Sequence, residues 1–334
     1  MERRHFADKY LEKDAGIDGG CAMNDGSHEQ VGPRKPMARV GITALNLIVP
    51  GLGIARLGNW RLAASFFVAP FVLIALVTFA MGHFPINSYA GAVFALLVLL
   101  GLLAALYLVP AVLTWRGSRF SSPAHGWSRW YGLTAIALVV LVLSHLAPPL
   151  MHRFYKPFYA PSEGMAPTIG KGDKFIADMR WRGPFRRGEI VIFKGPYGVR
   201  ISRVAAVSGD RIEMRGGLPI VNGIAAVQSP DGHTTFMGYD GSHSAAMLTE
   251  RLPGETSTHR VLDTGPSEFD EMREVIVPAN SLFLLGDNRD SSADSRVPAE
   301  LGGVGTVPVS AVIGRPMYIH WSNDRSRVGV RLDT

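Results

Sequence analysis

The chain has 334 residues, room for about two domains, and 47% of them are hydrophobic, enough for a substantial core and for membrane segments. Its formal charge of +6 is accompanied by no helix-turn-helix, zinc-ligand cluster or aromatic-basic single-strand motif, which argues against a nucleic-acid partner. The single cysteine, Cys21, excludes an intramolecular disulfide and a Cys-rich metal site, and the histidines show no His-Glu-x-x-His spacing, so neither metal nor other cofactor is expected.

Residues 1–36 are charged, polar and poor in periodic apolar positions, which reads as a polar cytoplasmic tail without the apolar core of a cleavable signal peptide. Residues 37–61 contain an apolar run broken by Pro50, Gly51, Leu52 and Gly53. It is too short on either side of the break to span, so a re-entrant or interfacial segment is expected. Residues 62–150 hold three longer runs, Leu62–Met81, Tyr89–Leu113 and Tyr131–Ala147, the last ending at Pro148 and Pro149. At about 1.5 Å per residue each can cross roughly 30 Å of hydrocarbon, so three transmembrane helices are expected.

Residues 155–334 change character. Short apolar or alternating runs at Lys174–Asp178, Glu189–Phe193, Val199–Val207, Arg211–Met214, Ser281–Leu285 and Met317–Trp321 are separated by Gly, Pro and Asp turns, the pattern of a mainly β, antiparallel domain. Residues 228–268, rich in Gly, Ser, Thr and His, read as an inserted loop or small subdomain, and His233, His243 and His259 as surface or loop residues.

Four blocks within this half carry a family resemblance: PSEGMAPT at 161–168, RGEIVIFK at 187–194, ISRVAAVSGD at 201–210 and LGDNRDSSADSR at 285–296. In that order they resemble the type I signal peptidase family, membrane-bound serine proteases that remove signal peptides outside the cytoplasmic membrane. The resemblance implies antiparallel sheets with a large β-barrel element. It also places the family's nucleophilic serine at Gly164 and its general-base lysine at Ser202, with Arg203 as the neighbour of the latter. Glycine has no side-chain nucleophile, and a serine hydroxyl cannot replace a lysine whose pKa desolvation has lowered.

The rest of the frame is present. Ser162 matches the family's side-chain oxyanion donor, the Gly164 amide its backbone donor, and Met165 the residue after the nucleophile. Ser292 matches a hydroxyl that orients the lysine, Asp294 and Arg296 a structural ion pair, and Gly286 with Asp287 a tight loop. The lysines of this half are Lys156, Lys171, Lys174 and Lys194, of which the last three read as solvated, and none follows residue 194. The expected function is thus that of a signal peptidase I relative, tied to signal-peptide removal from exported proteins but non-cleaving as it stands. An active serine endopeptidase with an unconventional nucleophile such as Ser162, a binding or regulatory membrane protein, and a scaffold stay open, as does oligomeric state. The implied partners are membrane lipid and the signal peptides of exported proteins.

Loop charge gives an orientation. Arg34, Lys35, Arg39, Arg56 and Arg61 precede the first span and Arg116, Arg119 and Arg129 lie between the second and third, whereas residues 82–88 carry no Lys or Arg. Basic loops stay cytoplasmic, so a multi-pass protein of a bacterial-type cytoplasmic (inner) membrane is expected, its N-terminus inside and its C-terminal domain on the outer, periplasmic side. Reporter fusions at Ser122 and Ser229 are expected to report opposite sides of the membrane; the same side for both would overturn this orientation.

Overall fold

A computed structural model of the chain describes residues 35–84, 88–118, 126–237 and 241–333. The expectations for the tail through residue 34, and for Cys21 within it, lie outside the described residues. The first apolar run forms α1 (Pro36–Ile48) and a short α2 (Leu52–Arg56), and the longer runs form α3 (Trp60–His83), α4 (Tyr89–Gly117) and α5 (Trp130–Met151). The last three are long and apolar enough to cross a membrane. Side chains such as Leu76 and Leu97 stand exposed on them, as on a helix whose solvent is lipid.

These elements start and stop for local reasons. Asn59 accepts from the Leu62 amide at the head of α3, and Ser88 from the Gly91 amide at the head of α4, each side chain satisfying an amide that has no helical partner. The third apolar run was expected to end before Pro148, but α5 continues through both prolines to Met151. Proline fits a helix best in the first turn, where its missing amide has no partner to lose; Pro148 and Pro149 sit near the last turn instead, and the Pro148 carbonyl there accepts from the His152 amide at 2.9 Å.

The break between α1 and α2 is held by one buried side chain. Asn46 donates to the Thr43 carbonyl and the Thr114 hydroxyl, both at 3.0 Å, while its carbonyl oxygen accepts from the Gly51 and Gly53 amides at 3.0 and 3.2 Å. Backbone amides released by a buried turn need partners, and Asn46 accepts from two of them while tying the hairpin to α4. Gly53 must be glycine here: a Cβ would lie 2.5 Å from the Asn46 amide nitrogen and 2.7 Å from both the Ile42 carbonyl and Thr114.

The remainder is antiparallel β-structure. Its main sheet contains β1 (Tyr155–Tyr159), β2 (Lys174–Asp178), β3 (Ile190–Gly195), β4 (Gly198–Val207), β12 (Ser281–Leu285), β13 (Val307–Pro308) and β14 (Val312–Trp321), in the order β1-β2-β14-β3-β4-β12-β13. A second sheet is built from β5 (Arg211–Arg215), β6 (Leu218–Val221), β7 (Ile224–Ala225) and β11 (Met272–Ile276) in the order β11-β5-β6-β7. The Gly-, Ser- and His-containing segment folds as three strands, β8 (Val227–Met237), β9 (Ser242–Arg251) and β10 (His259–Asp263), paired in the order β10-β9-β8.

The cores follow from strand alternation. Ala205, Ile212, Met214, Phe283 and Leu285 pack between the first two sheets, whereas Ile169, Phe175, Ile190, Ile192 and Ile319 form a second cluster on which the 160–170 loop rests. The anchor and the β-domain touch directly. The Tyr318 hydroxyl donates to the Met81 carbonyl at 3.0 Å, and Met81 packs on a cluster of Tyr155, Ile176, Met317 and Tyr318.

Candidate functional site

Three segments distant in sequence meet around β4. This strand pairs with β3 through Val191↔Ser202 and Ile190↔Arg203, and with β12 through Leu285↔Arg203, so its centre is fixed on both sides. Because β12 ends at Leu285, the 286–296 loop leaves the sheet beside Arg203. The Arg203 guanidinium donates to Asp287 at 2.8 and 2.6 Å and to the Gly188 carbonyl, and the Thr168 hydroxyl donates to the same Asp287 carboxylate. Burial is the largest influence on the Asp287 carboxyl and raises it, but the Arg203 charge and hydrogen bonds outweigh that and hold it below its ordinary value. Arg203, Asp287 and Thr168 thus clamp the 201–210, 285–296 and 161–168 blocks together.

Side chains alternate along a strand, so Ser202 points away from the face that carries Arg203. Ser202 is buried, with its hydroxyl donating to the Ile201 carbonyl at 2.7 Å. Gly164 lies in the 160–170 loop, where its carbonyl accepts from the Asn288 amide at 3.2 Å. A Cβ at Gly164 would lie 3.5 Å from the Ser291 carbonyl and 3.8 Å from the Ser292 hydroxyl, with nothing nearer. The vacant position is therefore open towards Ser292 and accepts a side chain without strain. Ser162 is exposed two residues before it, and Met165 is buried after it, bridging to Ile169.

The 286–296 loop is over-determined. Arg296 pairs with Asp294 at 2.8 and 3.0 Å, and Asp294 also accepts from the Gly286 amide at 2.9 Å. Gly286 has no space for a side chain, since a Cβ would fall 2.0 Å from the Ser292 hydroxyl and 2.6 Å from the Gly164 carbonyl. That glycine lets the two loops approach closely enough to put Ser292 opposite residue 164.

A second ionic layer went unseen in the sequence. Arg289 pairs with Glu250 through both nitrogens of its fork, and Glu250 also meets the His259 Nε2 at 3.2 Å, with all three side chains buried. His259 had been read as a surface or loop residue; it instead opens β10, with Nδ1 3.0 Å from Glu255. The correction follows from pairing: β10 lies against β9, where His259 faces Glu250 across the ladder. Burial, the largest influence, and the Arg203 charge both lower the imidazole's pKa, but the bonds to Glu250 and Glu255 outweigh them and hold it above its ordinary value. Of the other two histidines, His233 is exposed and His243 stacks on Phe236.

A cavity of about 550 Å³ opens on the Arg203 side, between Thr168, His259 and Arg327. Its arginines have carboxylate partners: Arg203 with Asp287, Arg260 with Asp231, Arg327 with Asp173 and Arg331 with Asp333. Matched charge of this kind serves structure and leaves no cation for an anionic ligand. Among the described residues no group of three His, Cys, Asp or Glu side chains is placed to hold a metal ion.

Fold and site together define a β-protein with an apolar helical anchor, its 160–170 and 286–296 loops held together beside β4. Residues 129–321, more than half of the chain, match the family described as signal peptidase, peptidase S26, and the chain belongs to that family. It is 30% identical over 204 residues to thylakoidal processing peptidase 1, chloroplastic, of Arabidopsis thaliana, covering 56% of this chain and 46% of that relative, so the chain spans under half of the latter's length. It is 28% identical over 181 residues to signal peptidase I U of Bacillus subtilis (strain 168), covering 52% of this chain and 84% of that relative. A crystal structure of a signal peptidase I from Enterococcus faecalis V583 matches 40% of this chain and 97% of its own, with 23% identity and a TM-score of 0.23.

Two outcomes test the ionic framework. Asp287→Ala leaves the Arg203 guanidinium buried and uncompensated, and is expected to destabilise the protein by about 3–5 kcal/mol, read as a lowered midpoint of thermal unfolding in detergent. His259 has a folded pKa above its unfolded value near 6.5, so its contribution is fully present below that pH and is lost as pH rises through the folded value. His259→Gln is expected to cost more stability at acidic than at alkaline pH, and to flatten this part of the pH profile.

Proposed function

We propose that this signal peptidase family member holds signal peptides, or peptides like them, at the outer face of the membrane without cutting them. The observation that carries the reading is the pair of residues at the positions that the family resemblance gives to nucleophile and base. Gly164 offers no attacking atom, and Ser202 is buried with its hydroxyl engaged by the backbone. Covalent acyl transfer needs both an activated nucleophile and a proton acceptor, and the site frame without them can stabilise charge but start no reaction.

Binding needs neither residue. Family members resemble one another in taking an extended peptide by strand addition, in which main-chain hydrogen bonds supply affinity and shallow pockets select small side chains at alternate positions. The loops around residue 164 are held in place by Arg203, Asp287, Gly286 and Asp294, none of which depends on the dyad. The orientation that puts this site where exported chains emerge rests on loop charge.

The reading is tested by restoring the chemistry. Gly164→Ser meets nothing closer than 3.5 Å at its Cβ, and a lysine at the buried position of Ser202 would be desolvated, the condition that lowers an ammonium pKa towards neutrality. The unaltered protein is expected to bind a peptide that carries Ala-x-Ala followed by further residues, without cleaving the bond after the motif. The G164S/S202K double variant is expected to cleave it measurably, and either change alone much less, because nucleophile and base act as a unit. Cleavage by the unaltered protein that disappears in Ser162→Ala would overturn the proposal and identify Ser162 as the nucleophile. Failure to bind the peptide at all would favour a scaffold.

A further inference from the structure

The membrane anchor has an unbalanced charge. From Gln30 to Ser162 the chain contains no Asp or Glu, although Arg39, Arg56, Arg61, Arg116 and Arg129 all lie within this stretch. The anchor therefore provides no carboxylate of its own for these cations, in contrast to the β-domain, where arginine after arginine is paired.

Arg39 finds a neutral solution. Its guanidinium stacks on Trp115 and donates to the Trp115 carbonyl and the Ser118 hydroxyl at the C-terminal end of α4, where carbonyls lack helical partners. Arg56 does not: its Nη1 is buried and has no hydrogen-bond partner among the described residues. It lines a cavity of about 740 Å³ between α1, α2 and α5, and Arg129, exposed at the head of α5, lines the same cavity. Apart from Thr134 and the Tyr131 hydroxyl the rest of the cavity is apolar, with Leu45 and Leu52 on one side and Leu133, Ala137 and Leu141 on the other. Apolar residues recur along the wall that α5 provides, and Leu141 at its far end is exposed.

We propose that this cavity is a binding site for an anionic phospholipid, its phosphate headgroup held by Arg56 and Arg129 and one acyl chain laid along Leu133, Ala137 and Leu141. A guanidinium matches phosphate geometry, and its buried nitrogen gains from an external acceptor what the chain itself does not offer. The apolar wall selects a lipid over free phosphate, because only an amphiphile satisfies the cations and the wall at once. Trp130 and Tyr131, which also line the mouth, are residue types suited to headgroup depth. A bound lipid would brace α1 and α2 against α5, linking the interfacial hairpin to the helix that leads into the β-domain.

The test uses the full chain purified in a mild detergent and probed with phosphatidylglycerol, phosphatidylcholine of the same acyl composition, and glycerol phosphate. Native mass spectrometry is expected to show retained phosphatidylglycerol with a raised thermal midpoint, and no comparable effect of phosphatidylcholine or glycerol phosphate. Arg129→Gln and Arg56→Gln are each expected to weaken retention by about fivefold. Ala137→Trp fills the cavity with both arginines intact and should also reduce retention, so the test survives if Arg56→Gln fails to fold. Equal retention of phosphatidylcholine, a full effect of glycerol phosphate alone, or unchanged retention in Arg129→Gln and Ala137→Trp would overturn the site.

Discussion

The β-domain is organised around the buried pair of Arg203 and Asp287. Neither charge could be taken from water alone, and each is kept because the other and several hydrogen bonds replace its hydration. The pair joins the central strand β4 to the loop that follows β12, and Thr168 brings in the loop that carries Gly164. Loops of this length would otherwise sample many conformations. Here two are set against β4 to within hydrogen-bond tolerance by one carboxylate, with Gly188 closing the remaining guanidinium position. The second layer, Arg289 with Glu250 and His259, extends the same logic to β9 and β10.

The framework around residue 164 is separate from the side chains at positions 164 and 202. The contacts that place residue 164 opposite Ser292 are made by Gly286, Asn288, Asp294 and Arg296, through backbone and ionic interactions that pass through neither Gly164's absent side chain nor the Ser202 hydroxyl. Glycine at 164 leaves no strained gap to fill, since a Cβ added there would meet nothing nearer than 3.5 Å. The stability of this framework therefore draws on atoms other than the side chains at positions 164 and 202.

The anchor solves its polar problems differently. Within hydrocarbon the backbone must be satisfied internally, and the hairpin break is satisfied by Asn46 with no charged group at all. The charges gather at helix ends, where Arg39 turns to the carbonyl end of α4 and Arg56 with Arg129 flank a largely apolar cavity. The β-domain balances charge within the chain; the anchor, without carboxylates, leaves it to the surroundings.

The order of elements was legible in the sequence because it rests on local pattern. Runs of apolar residues long enough to span gave α3, α4 and α5, and Lys174–Asp178 and Ser281–Leu285 are strands with the bounds their apolar runs suggest. The identities of Gly164 and Ser202 were equally plain, since the presence of a hydroxyl or the absence of a side chain is a property of the residue itself. Tertiary structure alone decided what depends on partners from afar. Glu250, Arg289 and His259 look like ordinary polar residues of a loop-rich stretch, and only the pairing of β10 with β9 and the return of the 286–296 loop bury them against one another. The strands β8 and β9 were hidden for a related reason: Ser, Thr, Gly and His give no strong alternation, and the ladder between these two strands comes from their mutual hydrogen bonds. A sequence fixes which groups a chain possesses, but desolvation and charge pairing act across distances that only the folded chain defines.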